Sequence, residues 1–92
     1  MSKIVFTNGC FDLIHKAHVR LLEFCKQRGD FLIVGLNSDA SVKRIKGPNR
    51  PINNQHDRKE VLMAIRYVDQ VFIFDDSTPY ELIKKIKPDI LI

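Results

Sequence analysis

The stretch Lys3-Ile4-Val5-Phe6-Thr7-Asn8-Gly9-Cys10-Phe11-Asp12-Leu13-Ile14-His15-Lys16-Ala17-His18 decides the fold. Lys3 to Thr7 is a short β-branched and aromatic run, the pattern of a strand buried on both faces. Asn8-Gly9 stops it. From about His15 the period changes. Ile14, His18, Leu21, Leu22 and Cys25 recur at three- and four-residue spacing, with Lys16, Arg20, Glu23 and Lys26 on the other side. That spacing predicts an amphipathic helix, which Gly29 ends.

The same alternation continues outward. Phe31 to Leu36 is the longest uninterrupted apolar run, and Phe31 to Asn37 reads as a second buried strand. Ser38 or Asp39 can cap a short helix to about Ile45. Lys46 to Asn53 holds Gly47, Pro48 and Pro51 and reads as a loop. Asn54, with Asp57 three residues on, starts a helix that is expected to bury Val61, Leu62 and Ile65 and to end near Tyr67. Gln70 to Phe74 is a third strand. Thr78-Pro79-Tyr80-Glu81 reads as a capping box opening a helix to about Ile86. Asp89 to Ile92 is a fourth strand. Strands that are continuous apolar runs, alternating with helices, predict an α/β fold: a Rossmann-like parallel sheet with helices on both faces. Right-handed crossovers then gather the strand-to-helix loops on one sheet edge, where such folds bind ligands.

The chain has 92 residues, 45% hydrophobic and 28% charged, which suits one small domain and excludes a disordered tail. No apolar run is long enough to cross a bilayer, and the N-terminus carries no export pattern. Lys and Arg number 15 against 11 Asp and Glu, and the excess lies in residues 1–50. A basic first half suits an anionic partner. The two cysteines, Cys10 and Cys25, form no C-x-x-C pair, so a reduced, cytoplasmic protein is expected. Cys25 reads as a small core residue.

The loop after the first strand carries the chemistry. Gly9 lets the backbone approach a ligand or take an unusual dihedral. His15 and His18 sit i and i+3 at a helix start, which puts both imidazoles on one face. A helix N-terminus favours phosphate, and imidazoles beside it can donate to charge on a phosphate oxygen. Two alternatives stand beside this reading: ordinary structural histidines, or a metal pair completed by Cys10 or Asp12, although zinc prefers i and i+4. Lys43-Arg44-Ile45-Lys46-Gly47-Pro48-Asn49-Arg50 has four basic residues in eight and can clamp phosphates. It can equally be a solvated charge run. No aromatic side chain interleaves it, so a nucleic-acid surface is not expected. Arg58 can reach the same edge.

These residues closely resemble the cytidylyltransferase-like nucleotidyltransferases, whose hallmark is a G-x-F-D loop followed by H-x-G-H. Ile33 to Val42, Lys46 to Asn53, Asp57-Arg58, Thr78-Pro79 and Lys87 to Leu91 look like the adenylyltransferase domains of bifunctional heptose kinase/adenylyltransferases. The resemblance implies AMP transfer from ATP to D-glycero-β-D-manno-heptose 1-phosphate, with magnesium accompanying the triphosphate and no metal held by protein side chains. It implies that His15, His18 and Lys46 act on the phosphates, that Thr7, Asn8, Gly9, Cys10 and Phe11 line the nucleotide cleft, and that Asp12 holds the loop. Asn37, Asp39, Arg50 and Arg58 are weaker candidates for phosphate or sugar-phosphate contacts. Ala17 stands where the family has Gly and is expected to touch the nucleotide. Glycerol-phosphate cytidylyltransferase and a non-catalytic nucleotide-binding or dimerisation module are the alternatives. A homodimer, a fused or adjacent sugar kinase and no membrane partner are expected. Residues 1–92 read as one nucleotidyltransferase domain, C-terminally incomplete: the family continues past the fourth strand with residues that help hold the triphosphate.

Overall fold

In the computed structural model, which describes residues 2–92, four strands are separated by four helices, two of them in succession between the second and third strands. They are β1 (Ile4–Gly9), α1 (Lys16–Gln27), β2 (Phe31–Asn37), α2 (Asp39–Lys46), α3 (Gln55–Met63), β3 (Gln70–Phe74), α4 (Tyr80–Ile86) and β4 (Ile90–Leu91). All pairings are parallel, in the order β3-β2-β1-β4. The chain winds outward from β1 through β2 to β3, then returns to the far side of β1. The order therefore reverses beside β1, and ligand crevices of open α/β sheets lie at such a reversal.

One sheet face presents Val5, Leu32, Val34, Leu36 and Val71, packed against Leu22 and Cys25 of α1 and Leu62 of α3. The expected sheet with covered faces is thus present. On the opposite face Gly35 leaves room: a Cβ there would stand 2.6 Å from the Phe6 ring and 3.3 Å from Leu82 of α4. Cys25 is fully buried among apolar groups, and burial pushes its thiol pKa up.

The end of the sheet where the strands begin is closed by a motif used three times. An aspartate stands directly before β2, β3 and β4, and each grips one residue of the adjacent strand region at two points. Asp30 donates its N–H to the Lys3 carbonyl at 2.9 Å and accepts the Lys3 N–H at 2.8 Å. Asp69 does the same with Leu32, at 3.0 and 2.7 Å, and Asp89 with Ile4, at 2.9 and 2.8 Å. Each carboxylate satisfies an amide at which the ladder would otherwise run out.

Four local expectations change. β1 runs through Asn8-Gly9, because both residues pair with β2 opposite Gly35 and Leu36. Helix α3 ends at Met63, and Ile65, Tyr67 and Val68 follow in turns closed by Ile65 N–H to Leu62 and Val68 N–H to Ile65. Val61 is 49% exposed, because the inward stripe is Arg58 and Leu62, four residues apart. The capping box at Thr78 does not form. The helix starts at Tyr80, its N-cap is Pro79, and no side chain caps it.

Candidate functional site

The loop leaving β1 turns through an unusual backbone. Phe11, a non-glycine, takes φ +46°, a left-handed conformation that side chains disfavour. Its ring is buried in the core cluster, and that burial holds the turn. Gly9 serves the same ring. A Cβ at Gly9 would lie 3.0 Å from the Phe11 side chain. Its role is therefore close packing, and the positive φ that the loop needs falls on Phe11.

Beyond the turn, the two histidines start α1. His15 is the N-cap; its Nδ1 accepts the Ala17 N–H at 3.2 Å, while its own N–H donates to His18 Nδ1 at 3.1 Å. The rings lie 4.4 Å apart. This is a reciprocal cap of the Ser-x-x-Glu kind made from two imidazoles. It has a chemical consequence. Each Nδ1 is an acceptor, so each neutral ring carries its proton on Nε2. Two Nε2–H donors at a helix N-terminus are thereby fixed in tautomer by the cap itself. Burial first, then the nearby His15 and Lys46, lower the His18 pKa below the ordinary 6.5, so this ring resists protonation.

Asp12 is the loop's anchor. It is 5% exposed. Its carboxylate accepts the Ile52 N–H at 2.8 Å, the Asn53 N–H at 2.9 Å and Arg50 Nε at 2.7 Å, and its carbonyl accepts Asn53 Nδ2 at 2.8 Å. Burial alone would raise its pKa. The Asn53 and Ile52 amides and the Arg50 guanidinium outweigh that and lower it to about 2.

These ties assemble an open cleft of about 340 Å³ lined by Asn8, Gly9, Cys10, Phe11, Asp12 and His18, with Lys46 and Arg50. Leu13 and Leu21 complete it. Eight expected residues thus meet in one cavity at the end of β1. His15 joins through its contact with His18. Lys46, the last residue of α2, is exposed, and among the described residues its ammonium has neither a hydrogen bond nor an ion pair.

Other candidates lie elsewhere. Thr7 is buried and donates its hydroxyl to the Ile92 carbonyl at 3.1 Å, so that hydroxyl closes the β1–β4 seam. Asn37 is buried and donates to Ser41 Oγ at 3.0 Å. Asp39 pairs with Arg58 at 2.8 Å, and Arg58 is 1% exposed, too deep to meet a substrate phosphate. Ala17 is exposed in the first turn of α1, outside the cleft lining. Asn53 was missed. In sequence it is the last residue of a loop, and its bonds to Asp12 cross 41 positions.

A cytidylyltransferase-like family profile matches residues 6–92. The "Bifunctional protein HldE" of a Nitratiruptor species is 61% identical over 91 residues, covering 99% of this chain and 20% of that protein. The protein of the same name from Campylobacter jejuni subsp. jejuni serotype O:6 is also 61% identical, over 99% of this chain and 20% of its own length. The chain therefore spans about a fifth of these relatives. Among solved structures, a lipopolysaccharide core biosynthesis protein from Thermoplasma volcanium GSS1 superimposes with a TM-score of 0.87 at 27% identity, over 99% of this chain and 73% of that one. No helix among the described residues is long and apolar enough to cross a membrane. With its parallel sheet, its histidine-capped helix and its matching profile, the chain belongs to the cytidylyltransferase-like family of nucleotidyltransferases.

Proposed function

We propose that this domain transfers AMP from ATP to D-glycero-β-D-manno-heptose 1-phosphate, giving ADP-heptose and pyrophosphate. One observation carries the reading: His18, its Nε2–H donor fixed by a helix cap that it shares with His15, lines one cleft with Lys46, whose ammonium has no partner among the described residues. The identity to proteins named as bifunctional HldE supports the choice of substrate.

An oxygen of the sugar phosphate attacks the α-phosphorus of ATP, and the bond to the bridging oxygen of the β-phosphate breaks, releasing pyrophosphate. Such a transfer needs alignment and neutralisation of charge more than covalent chemistry. His15 and His18 Nε2–H donate to phosphate oxygens, at full strength because their orientation costs nothing at the moment of reaction. Lys46 and Arg50 add positive charge. The loop from Asn8 to Phe11 offers backbone to the nucleotide. Among the described residues no three His, Cys, Asp or Glu side chains cluster as a metal site, and Asp12 is already committed to three hydrogen-bonding partners. Magnesium arriving with the triphosphate would screen its phosphate charge. A homodimer, a cytoplasmic location and a fused or adjacent sugar kinase go with this reading.

The family description itself favours a second reading, a cytidylyltransferase for glycerol 3-phosphate or a related alcohol phosphate. Pyrophosphate release by the full-length protein decides, measured with ATP or CTP and each acceptor. Turnover with ATP and heptose 1-phosphate is expected. Turnover only with CTP and glycerol 3-phosphate overturns the first reading. Nucleotide binding without turnover with either acceptor identifies a binding module.

A further inference from the structure

Arg58 is the largest fully buried side chain among the described residues. Its one carboxylate partner, Asp39, is 39% exposed at the side chain. The other bonds go to backbone carbonyls: Nε to Asn53 at 2.9 Å, and Nη1 to Cys10 at 2.7 Å and to Asn37 at 2.8 Å. A buried cation compensated mainly by carbonyls is weak evidence for stability, since an apolar side chain of similar volume often does as well. The identity of the partners shows what an apolar side chain would forfeit. Cys10 belongs to the nucleotide loop. Asn37 ends β2. Asp39 opens α2, whose last residue is Lys46. Asn53 belongs to the segment that ties Asp12 and carries Arg50. The walls of the cleft thus hang from one planar guanidinium, while Arg58 lies outside the cleft lining.

We propose that Arg58 is a positioning residue of the nucleotide cleft: it sets the spacing between the histidine loop and the Lys46 helix without touching the nucleotide. The inference rests on that cleft being the nucleotide site. A lysine at this position keeps the charge but offers one point of attachment in place of a planar fork, so it cannot hold four segments in register.

The test uses the full-length protein with Arg58→Lys and, as a milder cut, Asp39→Asn, which leaves the three carbonyl bonds in place. Arg58→Lys is expected to lower kcat by at least about tenfold while KM for the nucleotide changes by less than about threefold, because small misplacements act mainly on the aligned transition state. Asp39→Asn is expected to lower kcat by about threefold with the melting temperature little changed. Arg58→Lys with parental kcat overturns the proposal. So does a lower melting temperature with kcat of the folded protein unchanged, since that is a purely structural role. Should Arg58→Lys fail to fold, parental kcat in Asp39→Asn overturns it. A parent that uses CTP rather than ATP overturns the substrate reading alone, and the Arg58 comparison is then read with CTP. A parent that binds neither nucleotide overturns both.

Discussion

The two ends of this parallel sheet are built on opposite plans. Where the strands begin, Asp30, Asp69 and Asp89 each clamp a neighbouring residue with both amide and carboxylate. Acidic groups there meet the strand-end N–H groups and leave little for a ligand. Where the strands end, the charged groups divide. Asp12 and Arg58 are buried and fully partnered, while Lys46 and the Nε2 atoms of His15 and His18 have no protein partner among the described hydrogen bonds. The difference separates holding from binding. A charge whose bonds are all spent within the fold fixes geometry. A charge held in place with bonds to spare can recognise a substrate. Substitutions at the two ends should therefore separate stability from activity, and the largest effects belong to the free donors.

His18→Asn should be the most damaging to turnover. The asparagine Oδ1 lies where imidazole Nδ1 lies, so the cap on the His15 N–H survives while the Nε2 donor is lost. Turnover should fall by about 10²- to 10³-fold, the usual cost of one transition-state donor, with the melting temperature preserved. His18→Gln should do the reverse, keeping some turnover and loosening the start of α1. Turnover assays beside thermal melts check the pair; comparable activity in both variants would break the division of labour between the ring nitrogens. The same ring predicts a pH effect. Its pKa is lowered in the fold, so the neutral ring's contribution is present above the unfolded value, 6.5, and is lost as acid protonates the ring and removes the Nδ1 acceptor. The His15 amide resonance, followed by NMR from neutral pH downward, should report the loss.

Asp12→Ala should be next, and it should affect both properties. It leaves the Ile52 and Asn53 amides and Arg50 without their acceptor, at about 3 kcal/mol of stability, and frees the loop beside the cleft. Its pKa falls from 3.8 to about 2 on folding. The stability it contributes is therefore complete above about pH 4 and is lost as pH falls through 2. Denaturant titrations of the parent and Asp12→Ala should converge over that acid range. A constant difference between them would show that the carboxylate's ionisation is not what anchors the loop.

How much of this was readable in the sequence follows the range of the interactions. β2 and β3 were legible to the residue because their apolar runs have sharp polar ends at Asp30, Asn37, Asp69 and Asp75. Asn54 was legible as a cap, and the other cap was narrowed to Ser38 or Asp39, of which the fold uses Ser38, because a cap is a contact over three residues. The cleft was legible through Gly9, His15, His18 and Lys46, which sit at loop ends that the topology must bring together. Arg58 was legible as a residue of the same edge but not as a buried one: only the folded chain brings Cys10, from 48 positions away, against it, and turns an expected phosphate contact into an internal tie. Thr7, which the resemblance assigned to the cleft, instead spends its hydroxyl on the Ile92 carbonyl, a contact across 85 positions that no local pattern shows.

The closed end of the sheet offers a smaller and purer effect. Asp69→Ala removes the acceptor for the Leu32 amide and the partner of Lys26 at 2.5 Å. It should cost about 1.5 kcal/mol, with less than the usual surface discount because both side chains are about one-third exposed or less. Nucleotide affinity should stay at the parental value, since the clamp lies at the end of the strands away from the cleft. Denaturant melts with calorimetric titration of the nucleotide check both halves. A weakened affinity would show that strain at one end of the sheet reaches the other, and the division between the ends would then be too sharp.

The smallest effect is expected at Thr78. By residue type, Thr78-Pro79-Tyr80-Glu81 resembles a helix start more closely than any other segment, yet α4 begins beyond it, without a side-chain cap. Proline at the N-cap has no side-chain acceptor, and Thr78 stands one residue too early to replace it. Asn54, by contrast, accepts the Asp57 N–H at 2.8 Å. Asn54→Ala should therefore cost about 1 kcal/mol, whereas Thr78→Ala should stay within about 0.3 kcal/mol of the parent. Paired denaturant melts resolve that difference. Equal losses would mean that Thr78 caps α4 in solution, and that the open end of the sheet is held by local sequence to a greater degree than its hydrogen bonds indicate.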